Sequence, residues 1–90
     1  MALTSRQATQ FRRDIKRLQR QGVDLFPLET AITTLAIPET LAERYRDHAL
    51  IGNWRGFREC HIQPDWLLIY RLEDDELQLA RTGSHAELFG

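Results

Sequence analysis

Three β-rich segments in quick succession leave this chain few folds to choose from. Phe57 to Ile62, Trp66 to Leu72 and Leu77 to Thr82 each have strand composition. Gln63-Pro64-Asp65 parts the first two, its proline ending the first strand, and the acidic Glu73-Asp74-Asp75-Glu76 parts the last two. Connections this short join antiparallel neighbours, so the segments form a meander. The middle one, Trp66-Leu67-Leu68-Ile69-Tyr70-Arg71-Leu72, is apolar on both alternating faces, which marks a central strand covered on both sides. The outer two alternate. Phe57, Glu59 and His61 oppose Arg58, Cys60 and Ile62, and Leu77, Leu79 and Arg81 oppose Gln78, Ala80 and Thr82.

Strand direction then decides which residues meet. The first strand ends at the Gln63-Pro64-Asp65 turn, so His61 lies near that end of the sheet. The second starts there with Asp65 and Trp66. The third returns to it, bringing Arg81 and then Gly83-Ser84-His85. A short strand over Ala49 to Ile51, turning through Gly52-Asn53-Trp54-Arg55-Gly56, would bring His48 to the same end. All three histidines of the chain, with Asp65, Arg81 and Trp66, thus gather at one edge.

Ninety residues make one small domain, 1–90, with room for one modest core. A net charge of −1 announces no polyanion partner, but the distribution is uneven. Arg6, Arg12, Arg13, Lys16, Arg17 and Arg20 face Asp14 as the lone acid of that stretch, and acid collects at Glu73 to Glu76. Cys60 is the single cysteine, which excludes an internal disulfide and suits a reducing cytoplasm. The N-terminus has no apolar signal segment, and no apolar run of about 18 residues could span a membrane.

Ser5 to Gln21 reads as a helix, with Ala8, Phe11, Ile15 and Leu18 as its apolar stripe, Ser5 as N-cap and Gly22 as stop. Asp24 caps a second helix over Leu25 to Ala36, which Pro38 ends. Pro38 to Asp47 reads as a loop anchored by Leu41 and Tyr45. Ala2 to Thr4 carries a slight edge-strand signal. Ser84-His85-Ala86-Glu87 has capping-box spacing for a short terminal helix. The expected fold is α+β: two N-terminal helices packed on a small antiparallel or mixed sheet, with a short C-terminal helix.

Imidazoles and a carboxylate at one edge suit proton transfer near neutral pH. RNA cleavage by transphosphorylation needs such a set: a base for the 2′-OH, an acid for the leaving 5′ oxygen and a cation for the phosphoryl oxygens. Arg81 is placed for the cation, and Trp66 and Phe89 offer flat faces for an unstacked base. Plainer readings stand beside these. A lone histidine on a strand is more often structural, Trp66 alone would be core, Cys60 packing, and the basic helix face a solvated surface. Three converging histidines shift the balance toward function. They could hold zinc, but no pair has local ligand spacing, so no metal is expected.

Tyr45-Arg46-Asp47-His48, Gly52-Asn53-Trp54-Arg55-Gly56, Arg58-Glu59-Cys60-His61-Ile62, Pro64-Asp65-Trp66-Leu67-Leu68-Ile69-Tyr70 and Arg81-Thr82-Gly83-Ser84-His85 closely resemble the YafQ-type toxins of the RelE superfamily. The resemblance covers essentially the whole chain. It implies a RelE-like fold and a toxin of a bacterial type II toxin–antitoxin module. It implies cytoplasmic, ribosome-dependent cleavage of mRNA without a cofactor, and inhibition by a co-encoded antitoxin. It places the active site on His48, His61, Asp65, Trp66, His85 and Phe89. Met1 to Thr4 departs from the family's first strand. The alternatives are a gyrase-poisoning ParE-like toxin of the same fold and a non-catalytic binding module. We expect His85, at the start of the last helix, to be the general acid. His48, His61 and Asp65 remain open as the base.

Overall fold

The computed structural model describes residues 3–37 and 45–90. Its elements run in the order β1 (Thr4–Gln7), α1 (Thr9–Arg20), α2 (Phe26–Ala36), β2 (His48–Ala49), a 3₁₀ turn (Gly52–Trp54), β3 (Arg58–Gln63), β4 (Trp66–Glu73), β5 (Glu76–Gly83) and α3 (His85–Phe89). One five-stranded sheet has the order β1-β5-β4-β3-β2. The meander is as expected, with β4 central and antiparallel to both β3 and β5. Asp74 and Asp75 both take positive φ, 50° and 63°, which gives the β4–β5 hairpin a two-residue turn matched to strand twist.

The N-terminus corrects the expected helix start. Thr4–Gln7, Ser5 included, forms a strand parallel to β5, with Thr4 opposite Glu76 and Gln7 opposite Leu79. The sheet is therefore mixed. Ala8 N–H donates to Leu79 O at 2.9 Å, and α1 begins only after this edge is satisfied. Polar Thr4-Ser5-Arg6-Gln7 buries no side chain and is held through its backbone, which a hydrophobic pattern cannot reveal. Met1 and Ala2, and residues 38–44 of the loop expected over Pro38 to Asp47, lie outside the described residues. The second helix begins one residue later than expected, with Phe26 N–H donating to Asp24 Oδ1 at 3.0 Å.

α1 and α2 cover one face of the sheet. Phe11, Leu18, Leu28, Ala31 and Leu35 pack there on Cys60, Ile62, Trp66, Leu68, Tyr70, Leu77 and Leu79. Burying each large side chain contributes about 1.5–3 kcal/mol. Leu67 and Ile69 point to the other face, where Leu88 of α3 packs with Leu50, Trp54, Phe57 and Ala80. β2 is only two residues long, with His48 opposite Glu59. It is enough to carry His48 to the third strand.

Candidate active site at the sheet edge

The turn end of the sheet holds two polar clusters. On the face away from α1 and α2 the three histidines form a chain. The His48 and His61 ring centroids are 6.3 Å apart, and those of His61 and His85 are 5.8 Å apart. Phe89, half exposed, lies 6.5 Å beyond His85. The capping box of α3 sets His85: Glu87 N–H donates to Ser84 Oγ, and Ser84 N–H to Glu87 Oε1. Asp65 Oδ1 accepts from both the backbone N–H of His85, at 3.1 Å, and its ring Nδ1, at 2.9 Å. Asp65 thus orients an imidazole, a role the sequence left open. These hydrogen bonds from His85 hold its carboxyl below the usual carboxylate range, so it is ionised at neutral pH.

His48 Nδ1 lies 2.8 Å from the Arg46 carbonyl. A carbonyl only accepts, so Nδ1 carries the proton and Nε2 is left to face Glu59 Oε1 at 3.7 Å. His61 Nε2 lies 3.9 Å from the same oxygen, and its buried Nδ1 has no hydrogen-bond partner. Glu59, itself buried, is a member of the site that the sequence reading did not single out. The signal was there, since Glu59 and His61 are two apart on one strand and share a face. A cleft of about 620 Å³, lined by Arg46, His61, Ile62, Gln63, Pro64 and His85, opens between these groups.

Glu59, His61 and His85 each offer one ligand atom, all within 4.8 Å of one another. Two imidazoles and a carboxylate are a donor set for a zinc- or copper-like ion. The expected lack of local ligand spacing is true of the sequence, but the fold supplies the spacing.

Two expected site residues are committed to partners outside the histidine chain. Trp66 starts at the right end of β4 but on the opposite face: His61 pairs with Leu67, so Leu67 shares its side and Trp66 does not. The indole is buried in the core under the helices, its Nε1–H donating to Thr82 Oγ1 at 2.9 Å. Only 6% of the residue is exposed, at a shallow cavity that it lines with Gln63, Asp65 and Gly83. Arg81 is also committed. Its Nε and Nη2 donate to Asp14 of α1 at 2.8 and 3.1 Å. Asp14 additionally accepts from Arg17 Nη1 at 2.7 Å and from Thr82 N–H at 3.1 Å. Burial alone would push the Asp14 carboxyl up, but the hydrogen bonds from Arg81, Arg17 and Thr82 hold it below its ordinary value. Arg17 continues the chain of contacts to Thr82 O, at 3.0 Å, and Glu87, at 2.8 Å. The second cluster is therefore a clasp joining α1, β5 and α3.

Solved structures share this fold along its whole length. A copper-bound mutant toxin from Helicobacter pylori superposes with a TM-score of 0.92 at 46% identity, covering 97% of this chain and 99% of that one. The toxin–antitoxin complex of Escherichia coli DinJ and YafQ matches at TM-score 0.88 and 39% identity, covering all of both chains. The mRNA interferase toxin YafQ of Escherichia coli strain K12 is 42% identical over 86 residues, 90% of this chain and 89% of its own length. The fold is that of a small bacterial toxin. Residues 3–90 match the model of the YafQ bacterial toxins of type II toxin–antitoxin systems, and the chain belongs to that family.

Proposed function

We propose that this chain is a ribosome-dependent endoribonuclease that cleaves translated mRNA by acid–base transphosphorylation. The observation that carries the reading is the facing of two imidazoles across a cleft, one of them oriented by a carboxylate. His61 takes the 2′-OH proton as the 2′ oxygen bonds to phosphorus. The P–O5′ bond breaks, and His85 gives its proton to the departing oxygen, leaving a 2′,3′-cyclic phosphate. Glu59 lies where positive charge develops on His61 or His48. We choose His61 over His48 as base because His61 lines the cleft with His85. Asp65, tied to His85 by two hydrogen bonds, holds the acid in position. Phe89 offers its half-exposed ring beside His85 to the neighbouring base.

No metal enters these steps. A divalent ion on Glu59, His61 and His85 would supply Lewis acidity, and it would also occupy the imidazole lone pairs that proton transfer uses. Added Zn²⁺ should therefore slow cleavage.

The chain acts as one domain in the bacterial cytoplasm; no helix of the described residues is long and apolar enough to cross a membrane. Its partners are the ribosome, mRNA and a co-encoded antitoxin; DinJ and YafQ of Escherichia coli form such a toxin–antitoxin complex. The basic side chains of α1, Arg12, Arg13, Lys16 and Arg20, are exposed and available to phosphates or to an acidic partner segment. Primer extension on cellular mRNA after induction should show codon-phased cuts that disappear with His85→Ala. Intact mRNA with inhibited DNA supercoiling would refute the reading and favour gyrase poisoning.

A further inference from the structure

With Arg81 held by Asp14, the transphosphorylation proposed above lacks its cation. The described arginines near the site other than Arg46 each have a partner. Arg58 is paired to Asp47 through Nε at 2.7 Å and Nη2 at 2.6 Å. Arg17 and Arg81 belong to the Asp14 clasp. Arg46 differs from all three. It is exposed, makes no ion pair with any described residue, and among the described residues is the one arginine or lysine that lines the cleft with His61 and His85.

Its backbone is unusual as well. Arg46 takes φ of 48°, a left-handed conformation that a non-glycine residue adopts only at a cost of about 1–3 kcal/mol. From that conformation its carbonyl meets His48 Nδ1–H at 2.8 Å. One residue thus fixes a histidine tautomer with its main chain and borders the cleft.

We propose that Arg46 is the phosphate-binding residue of this site. Its guanidinium grips the non-bridging oxygens of the scissile phosphate and offsets the charge that grows on them as the 2′ oxygen attacks. The inference rests on the ribonuclease reading and adds to it the group that recognises phosphate.

Arg46→Gly tests it without endangering the fold, because glycine accepts positive φ and keeps the carbonyl that holds His48. The assay is single-turnover cleavage of mRNA on programmed ribosomes, run across pH beside wild type, Arg46→Lys and His85→Ala. Arg46→Gly should lose about 10²-fold in rate. Its melting temperature should be no lower than that of wild type, and its pH–rate limbs unmoved. Arg46→Lys should recover part of the loss. A wild-type rate in Arg46→Gly, with His85→Ala inactive, overturns the Arg46 role alone. A slowed Arg46→Gly with a displaced pH limb also overturns it, since the residue then acts through His48. If wild type leaves mRNA intact, or His85→Ala cleaves normally, the ribonuclease reading falls and this inference with it.

Discussion

The two polar clusters at the end of the sheet use the same kinds of residue in opposite ways. In the clasp, Asp14 is fully buried, and four donors from Arg81, Arg17 and Thr82 N–H saturate its two oxygens. In the cleft, the His48 and His85 side chains are about half exposed, at 50% and 54%, and His61 keeps an unpartnered Nδ1. Glu59 stands 3.7 and 3.9 Å from two rings, beyond hydrogen-bond range. A saturated cluster has no capacity left for a substrate and holds elements together. An under-committed one costs stability and keeps lone pairs and protons available. Damage to the clasp should therefore appear in the melting curve, and damage to the cleft in the rate.

The largest expected effect is on the clasp. Asp14→Ala leaves the Arg81 guanidinium and the Thr82 N–H without their acceptor and takes one of three partners from Arg17, and should cost about 3–5 kcal/mol of stability. Differential scanning calorimetry should show a fall in melting temperature above 10 °C for a chain of this size. An unchanged melting temperature would erase the distinction between the clusters.

Next comes Asp65→Asn. Its side chain is 70% exposed, so stability should be nearly untouched. An amide in place of the carboxylate loosens the hold on His85 Nδ1–H, and cleavage should slow by about 10²-fold. Circular dichroism melts beside single-turnover rates separate the two effects. A large stability loss here would move Asp65 into the structural class.

Gly83→Ala links the clusters. The residue has φ of 155°, and a Cβ there would fall 2.6 Å from Arg17 Nη2 and 3.0 Å from Glu87 Oε1. The substitution should cost about 1–3 kcal/mol by urea titration, through strain and displaced Arg17. It should also lower the rate, because Glu87 caps the helix carrying His85. A variant as stable and as fast as wild type would show that the two clusters are not coupled through Arg17.

The smallest effect is on pH. The folded Asp14 carboxyl titrates below its ordinary 3.8, so its ion pairs stabilise the fold fully above about pH 4. That contribution is lost as pH falls below 4 through the folded value. Acid melts should show Asp14→Asn to be less pH-sensitive than wild type in this window.

Much of this was legible in the chain, for physical reasons that also mark the limits. The meander and the convergence of His48, His61, Asp65 and His85 at one end follow from turn chemistry and strand direction. Trp66 was misplaced because direction gives position along a strand, whereas its face depends on register; pairing His61 with Leu67 settles it. The hold of Asp14 on Arg81 was out of view because the two are 67 residues apart. Even so, Asp14 lies three residues after Phe11 and four before Leu18, on the buried stripe of α1. An acid on an apolar stripe signals a buried cation partner. β1 was hidden because its pairing buries no side chain and leaves no hydrophobic pattern. The Glu59–His61–His85 grouping needs tertiary structure, since its third member comes from another element.

The central claim is that the histidine cleft, not the basic clasp, does the chemistry. Single-turnover cleavage of mRNA by His85→Ala on programmed ribosomes tests it most directly, with ribosome binding and melting temperature measured on the same preparation. The account predicts a rate lowered by about 10²-fold or more, with binding retained and the melting temperature within a few degrees of wild type. A folded His85→Ala protein that cleaves at a near-normal rate would contradict it.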